Sequence, residues 1–163
     1  MAVLWTPDNS VSTTYFKEYE AAARVLKVHL QSLQVRLENP DVDEAFQAAA
    51  NGRADALITI TSASLFLRQR RIADLAAKTR LPTMFPGSAW VESGGLMSYS
   101  TNDLEAFRHA ATYVDKILKG AKPADLPVEQ LAKFEFAINL KTAKEIGVAI
   151  PQSLLLRADK VVQ

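Results

Sequence analysis

Cysteine is absent from all 163 residues. Disulfides, thiolate zinc sites and a cysteine nucleophile are therefore excluded. Histidine is almost as scarce: His29 falls in a strand pattern and His109 in a helix pattern. Neither lies in a loop where an acid–base catalyst would be placed, and no His-x-x-x-His metal spacing occurs. With only 6 glycines there is no phosphate-cradling Gly-rich loop and no Gly-x-Ser-x-Gly elbow. Gly94-Gly95 precedes a strand pattern instead of following one, which makes it a turn. No apolar run is long enough to span a bilayer, so no membrane insertion is expected. Neither sign of charge dominates, since the net charge is +1. That balance offers no basic stripe for nucleic acid. Arg68, Arg70 and Arg71 cluster briefly and suit one solvated helix face. A signal peptide pattern is missing too. Met1-Ala-Val-Leu-Trp has no charged leader and runs straight into a strand. The chain is therefore expected to begin inside its fold, as an abrupt cytoplasmic start or at an internal boundary of something longer.

What is present is an ordinary globular composition, 48% hydrophobic and 23% charged, sized for one domain. Residues 2–5 are a short apolar strand closed by Thr6-Pro7-Asp8-Asn9-Ser10, a run of turn formers. Ser10 or Ser12 is placed to cap a helix over 13–26. Its apolar positions Tyr15, Phe16, Tyr19, Ala22, Ala23 and Leu26 recur at threes and fours. A strand over 28–37 follows, broken at Pro40. Next come a helix carrying Ala45, Phe46, Ala49 and Ala50, a left-handed stop at Asn51-Gly52, and a buried strand over 54–60. A helix over 64–79, a strand over 81–85, a short helix over 89–93 and a strand over 96–100 complete the alternation. Such a β-α repeat with short loops predicts an α/β fold. It is a doubly wound, parallel, five-stranded sheet with helices on both faces.

The remainder departs from the repeat. Asn102 or Asp103 caps a helix striped by Leu104, Phe107, Ala111, Val114 and Leu118 and ended by Gly120. Residues 121–130 hold Pro123 and Pro127 and read as a linker. Residues 133–140 alternate as an edge strand would, with Phe134, Phe136 and Ile138 on one face. A short helix stopped by Gly147, then another beginning at Pro151, end the chain. These boundaries divide it into a lobe at 1–101, a helix and linker at 102–130, and a return strand with helices at 131–163.

In open α/β sheets the site lies beyond the carboxyl ends of the strands. Four loops qualify, and they supply the candidate ligand-binding residues: Thr6, Pro7, Asp8, Asn9, Ser10, Thr61, Ser62, Ser64, Pro86, Gly87, Ser88 and Tyr99. Hydroxyls and amides dominate, and two of the loops lead into helix starts, where free N–H groups favour a carboxylate. This is binding chemistry without catalytic hardware, so no enzyme activity and no cofactor are expected. A response-regulator arrangement would use Asp8 for a metal. It also needs an acidic neighbour, an Asp after the third strand and a Lys after the fifth. Here stand Asn9, Thr61 and no lysine. Of the aromatics near the loops (Trp5, Phe66, Phe85, Trp90, Tyr99), Tyr99 is the one placed to meet a ligand.

Several stretches carry a family likeness. They are Val3-Leu-Trp-Thr-Pro-Asp-Asn, Arg53-Ala-Asp-Ala-Leu, Leu81-Pro-Thr-Met-Phe, Glu92-Ser-Gly-Gly-Leu-Met-Ser-Tyr, nearly all of 110–130, then 134–147, Ile150-Pro151 and 154–161. In these the chain resembles the ABC-transporter substrate-binding proteins whose better-known members bind tryptophan or related small solutes. The resemblance implies a two-lobed, hinged protein of the type I periplasmic-binding-protein kind. Such a protein closes on a small-molecule solute and delivers it to an ABC permease. Full members are about twice this length and lie in the periplasm or are anchored outside the cell membrane. This chain resembles their second lobe and tail, with hinge crossings near Tyr99 and near 128–134. The helix between those crossings would then pack on a first lobe, or on a swapped partner in a dimer, which accounts for its unmatched stripe. The alternative is a stand-alone ligand-sensing domain of a regulator.

Overall fold

A computed structural model of the chain describes residues 1–38, 41–129 and 133–163. The expected strand break at Pro40 and the linker end and domain boundary at 130/131 lie outside those residues. Strand β1 (Ala2–Trp5) is buried along its whole length. Helix α1 (Ser10–Leu26) is capped by Asn9 rather than by either serine. The Asn9 side-chain oxygen accepts from Val11 N–H at 2.9 Å and Ser12 N–H at 3.1 Å. Ser12 is spent elsewhere, since its hydroxyl accepts from Thr6 N–H at 3.3 Å.

Strand β2 (Gln31–Gln34) and helix α2 (Val42–Asn51, capped by Asp41) follow. The left-handed residue after α2 is Arg53, with φ of 52°, not Gly52, whose φ is −80°. A Cβ at Gly52 would meet the end of the Gln31 side chain, whose amide donates to the Ala48 carbonyl at 2.6 Å and would have to shift. After β3 (Leu57–Thr59) the single expected helix is two: α3 (Ala63–Phe66), capped by Ser62, and α4 (Gln69–Lys78). Arg68, at φ −111° and ψ 11°, interrupts the helical path, and its guanidinium donates back to the Ser64 carbonyl at 2.9 Å. Strand β4 (Thr83–Phe85), α5 (Ser88–Glu92) and β5 (Met97–Thr101) complete the repeat. Gly94, at φ 106°, makes the turn before β5.

Then come α6 (Asp103–Leu118), one 3₁₀ turn at Pro123–Asp125, β6 (Phe134–Asn139), α7 (Leu140–Ile146), α8 (Gln152–Leu155) and β7 (Lys160–Val162).

The sheet has seven strands in the order β2-β1-β3-β4-β5-β6-β7, with every pair parallel except β5–β6. The first five are the doubly wound unit the alternation predicts. The other two correct the expected edge. β6 is not an edge strand: it lies between β5 and β7, and Ala137, Ile138 and Asn139 are buried. Its first half, Phe134 to Phe136, is exposed or half-buried, and its second half is buried on both faces. β7 is missed from sequence because three residues at a chain end carry no measurable period.

Register puts Val3, Ile58, Met84, Met97, Ile138 and Val161 in one row on one face. The opposite face builds the main core. There Leu4, Leu57 and Phe85 meet Phe46 of α2, Leu65 of α3, Ile72 of α4 and Trp90 of α5. The row face is covered over β1 and β3 by α1, where Phe16 stacks on Trp5 at 4.4 Å. Helix α7 packs on α4, and Asn139 locks it twice. The Asn139 side chain accepts from Thr142 N–H at 3.0 Å and donates to the Val91 carbonyl at 3.2 Å.

Helix α6 stands apart. Among its described residues none is buried, and Leu104, Phe107, Ala111, Val114 and Leu118 are all exposed. Among the described residues, its side-chain hydrogen bonds to other segments beyond the first turn run to its own linker. Tyr113 Oη donates to the Pro127 carbonyl at 2.7 Å, and His109 Nδ1 meets Glu129 Oε2 at 3.2 Å.

Candidate functional site

At the carboxyl ends of β3, β4 and β5 the surface opens into a depression of about 470 Å³. Its rim is Thr61, Pro86, Ser100 and Thr101; its floor is Ile58 and Met84; its side walls are Tyr15 and Tyr19 of α1 and the pair Tyr99–Phe134. The size suits a small organic solute. Tyr99 is 56% exposed, the largest open aromatic at the rim. It stacks on Phe134 with ring centroids 5.2 Å apart and meets Phe136 edge-on at 6.2 Å. That stack is a consequence of register. Tyr99 pairs with Phe136 and Thr101 with Phe134 across the antiparallel β5–β6 ladder, so their side chains share a face. An aromatic wall beside hydroxyls and backbone amides can hold an apolar or aromatic group and orient a polar one.

The twelve candidate residues divide into three groups. Thr61, Pro86 and Tyr99 come together on this depression. Thr6, Ser62 and Ser64 come together beneath the loops. Thr6 Oγ1 lies 3.0 Å from Ser62 Oγ and 3.4 Å from Ser64 Oγ, and the two serines are 3.2 Å apart. Thr6 and Ser62 are buried, and Ser62 Oγ also accepts from Leu65 N–H at 3.3 Å. These hydroxyls tie the β1 loop to the β3 loop. The third group lies outside that lining. Pro7 accepts at its carbonyl from Thr13 Oγ1 at 3.3 Å. Asp8 accepts from Leu37 N–H at 2.9 Å, pinning the end of β2. Asn9 is the α1 cap, so the Val11 and Ser12 amides are already occupied. Ser10 opens α1 on the exposed side. Gly87 and Ser88 open α5, half-buried, and lie outside the lining of the depression.

Tyr15, Tyr19 and Phe134 are lining residues the loop argument does not find. The signal for the tyrosines is in the sequence, because α1 is apolar over a wider arc than one sheet face can bury. Tyr15 and Leu26 are left out in the solvent. Phe134 is brought to the rim only by the β5–β6 pairing. Of the aromatics near the loops, Trp5, Phe85 and Trp90 are core, as Tyr99 is not. Among the described residues no group of three or more His, Asp or Glu side chains could hold a metal ion. Among the described residues no helix is long and apolar enough to cross a membrane.

The family model for the ABC transporter substrate binding protein matches residues 1–162, virtually the whole chain. The chain belongs to that family. The family is one of substrate-binding proteins, not of enzymes, and such proteins are normally periplasmic or extracellular. No curated protein matches the chain significantly. Solved structures do. A conserved domain protein from Vibrio cholerae aligns with TM-score 0.87 at 22% identity, covering 98% of this chain and 53% of the other. A Streptococcus pneumoniae ABC domain in complex with L-Trp aligns with TM-score 0.82 at 25% identity, covering 99% of this chain and 54% of that one. A ligand-free, open substrate-binding protein with adhesive properties from Clostridium difficile aligns with TM-score 0.73 at 18% identity, over 99% and 54%. This family member therefore spans about half the length of the solved structures it matches.

Proposed function

We propose that this chain is one lobe of the solute-binding component of an ABC transport system and holds half of its ligand cleft. The observation that carries the proposal is the family match over 1–162 together with coverage of only half of each solved relative. The solute is a small molecule, an amino acid or another small carboxylate or aromatic compound. It lies at the carboxyl ends of β3, β4 and β5, with an apolar portion on Tyr99 and its polar groups toward Thr61 and Pro86. The aromatic wall and the L-Trp held by the pneumococcal relative support this choice. Thr6, Ser62 and Ser64 hold the two loops in place beneath it. The complete protein works on the outer side of the cytoplasmic membrane and hands its solute to a permease. It does not transform what it binds. Residues 102–130 are the part of the chain that belongs against other protein, either a first lobe or a second copy. Residues 131–163 return to complete the sheet.

Titration of the longer protein that contains this lobe with L-tryptophan, other aromatic amino acids and small carboxylates tests the proposal. One solute raises Tm, and above its Kd the rise grows with the logarithm of its concentration, as binding to the folded state alone requires. Tyr99→Ala abolishes that rise while leaving the ligand-free Tm nearly unchanged, since the ring is exposed. If no solute stabilises the protein, and uptake survives deletion of the neighbouring permease gene, the transport role is wrong.

A further inference from the structure

Charge is missing from the depression at the ends of β3, β4 and β5. Among the described residues its lining holds no Asp, Glu, His, Lys or Arg. It is rich instead in phenol. Of the chain's 4 tyrosines, Tyr15, Tyr19 and Tyr99 all stand around it. Tyr15 and Tyr19 are one turn apart on α1 and so share a side of that helix. Tyr15 is 48% exposed and Phe134 47%, so each still offers a ring to a ligand. Among the described residues the one tyrosine hydroxyl with a hydrogen-bond partner is that of Tyr113, on α6. The hydroxyls of the other three are open. Charged side chains near these loops are committed elsewhere. Asp8 accepts from Leu37 N–H, and Arg68 donates to the Ser64 carbonyl. Glu135 lies between Phe134 and Phe136 but on the opposite face of β6, where it accepts from the Asn102 amide at 2.8 Å. The helix starts offer an anion little either. Asn9 takes the first free amides of α1, and Ser62 takes that of Leu65 in α3.

We propose that the end of the solute seated on this lobe is an uncharged aromatic ring bearing a neutral hydrogen-bonding atom, such as an indole N–H or a phenol O–H. Its carboxylate and ammonium groups lie toward the part of the protein beyond this chain. This rests on the solute-binding reading above and narrows it, since a small carboxylate without a ring is excluded. A ring lies against Tyr99 over the apolar floor of Ile58 and Met84, and the open phenols reach its polar atom. A charged group in the same place gives up water and meets no opposite charge in return. The rival occupant is a cation drawn to the ring faces. Against it, Tyr99 is already stacked flat on Phe134, with the ring planes 7° apart. The pair therefore presents a broad wall for stacking rather than a closed cage.

Calorimetry on the longer protein that contains this lobe tests the neutral seat. The ligands are L-tryptophan, L-tyrosine, L-phenylalanine, and L-phenylalanine carrying a carboxylate or an aminomethyl group at the para position. L-Tryptophan or L-tyrosine binds most tightly, and each charged analogue binds at least about tenfold more weakly than L-phenylalanine. Thr61 is an exposed rim residue, so Thr61→Arg leaves the fold intact and supplies the missing counter-charge. It raises affinity for the para-carboxylate about tenfold and leaves that for L-phenylalanine within about twofold. Four results overturn the neutral seat and leave the solute role standing. They are charged analogues that bind as well as L-phenylalanine, an aminomethyl analogue that binds more tightly, an order of affinities that Thr61→Arg does not alter, and binding of an aliphatic carboxylate but of no aromatic. A protein that binds no aromatic and no carboxylate removes the solute role, and the neutral seat with it.

Discussion

Tyr19 shows how one residue serves both fold and site. It packs against the cluster of Val3, Trp5 and Ile60 under α1 while lining the depression. Burial, with a smaller contribution from the nearby Tyr15, raises its phenol above the ordinary value of 10.0. Lys160 is also raised above its usual 10.5, first by its hydrogen bond to Glu92. Both folded-state values are raised, so both groups contribute stability that is whole below the unfolded-state values. That stability is lost as pH climbs through the folded-state ones. Stability should thus be flat with respect to these two groups from neutral pH to about 9 and fall above about 10. Denaturant titrations across that range check the limb. Tyr19→Phe should make it shallower, and an unaltered limb would show that Tyr19 titrates alike in the folded and unfolded states. The chemistry of such residues is legible in the sequence; their surroundings are not. Asp8 looks like a ligand or a cap; it does not cap α1, and its carboxylate accepts from Leu37 N–H, which comes within reach only once β2 is beside β1. Asn9 caps α1 in place of either serine because the turn before it delivers an extended backbone at that position.

Among the elements, α4 and α6 have comparable apolar stripes and opposite fates. Ile72, Ala73, Leu75 and Ala76 of α4 are buried, whereas every described residue of α6 is exposed or half-buried. Ile72→Ala should therefore cost about 2–5 kcal/mol through lost burial and a cavity. Phe107→Ala should change the stability of the lobe by less than about 0.5 kcal/mol, in the manner of surface substitutions. Chemical denaturation of the two variants at a concentration where the chain is monomeric separates them. A large loss for Phe107→Ala would mean that α6 packs on its own lobe. Helices were readable from their three-and-four spacing, and α2, α5 and α7 fall within a few residues of expectation. The split between α3 and α4 was not, since an apolar period runs on across Leu67 and Arg68. Strand alternation correctly put Phe134, Phe136 and Ile138 on one face. It could not say that β6 is interior, because edge or centre is a property of what β7 does.

At the scale of the molecule, half a cleft is expected to bind as half a cleft. Calorimetry with L-tryptophan should show affinity for the longer protein at least about tenfold above that of this chain at monomeric concentration, a difference of about 1.4 kcal/mol. Closure supplies the missing contacts, and equal affinity would place the whole site on this lobe. The amino-acid sequence by itself determined the β-α alternation, the parallel five-stranded unit, the lack of thiol chemistry and the presence of an unmatched amphipathic helix. All of these depend on local period and composition, which a linear chain displays directly. Only the tertiary structure decided which candidate residues share a surface. It gathered Thr61, Pro86 and Tyr99 on one depression, tied Asp8 to Leu37 and Asn9 to the start of α1, spent Thr6 and Ser62 on holding loops, and brought Phe134 beside Tyr99. The physical reason is register. Residues distant in the chain become neighbours through strand pairing, and no local pattern encodes which strands will pair.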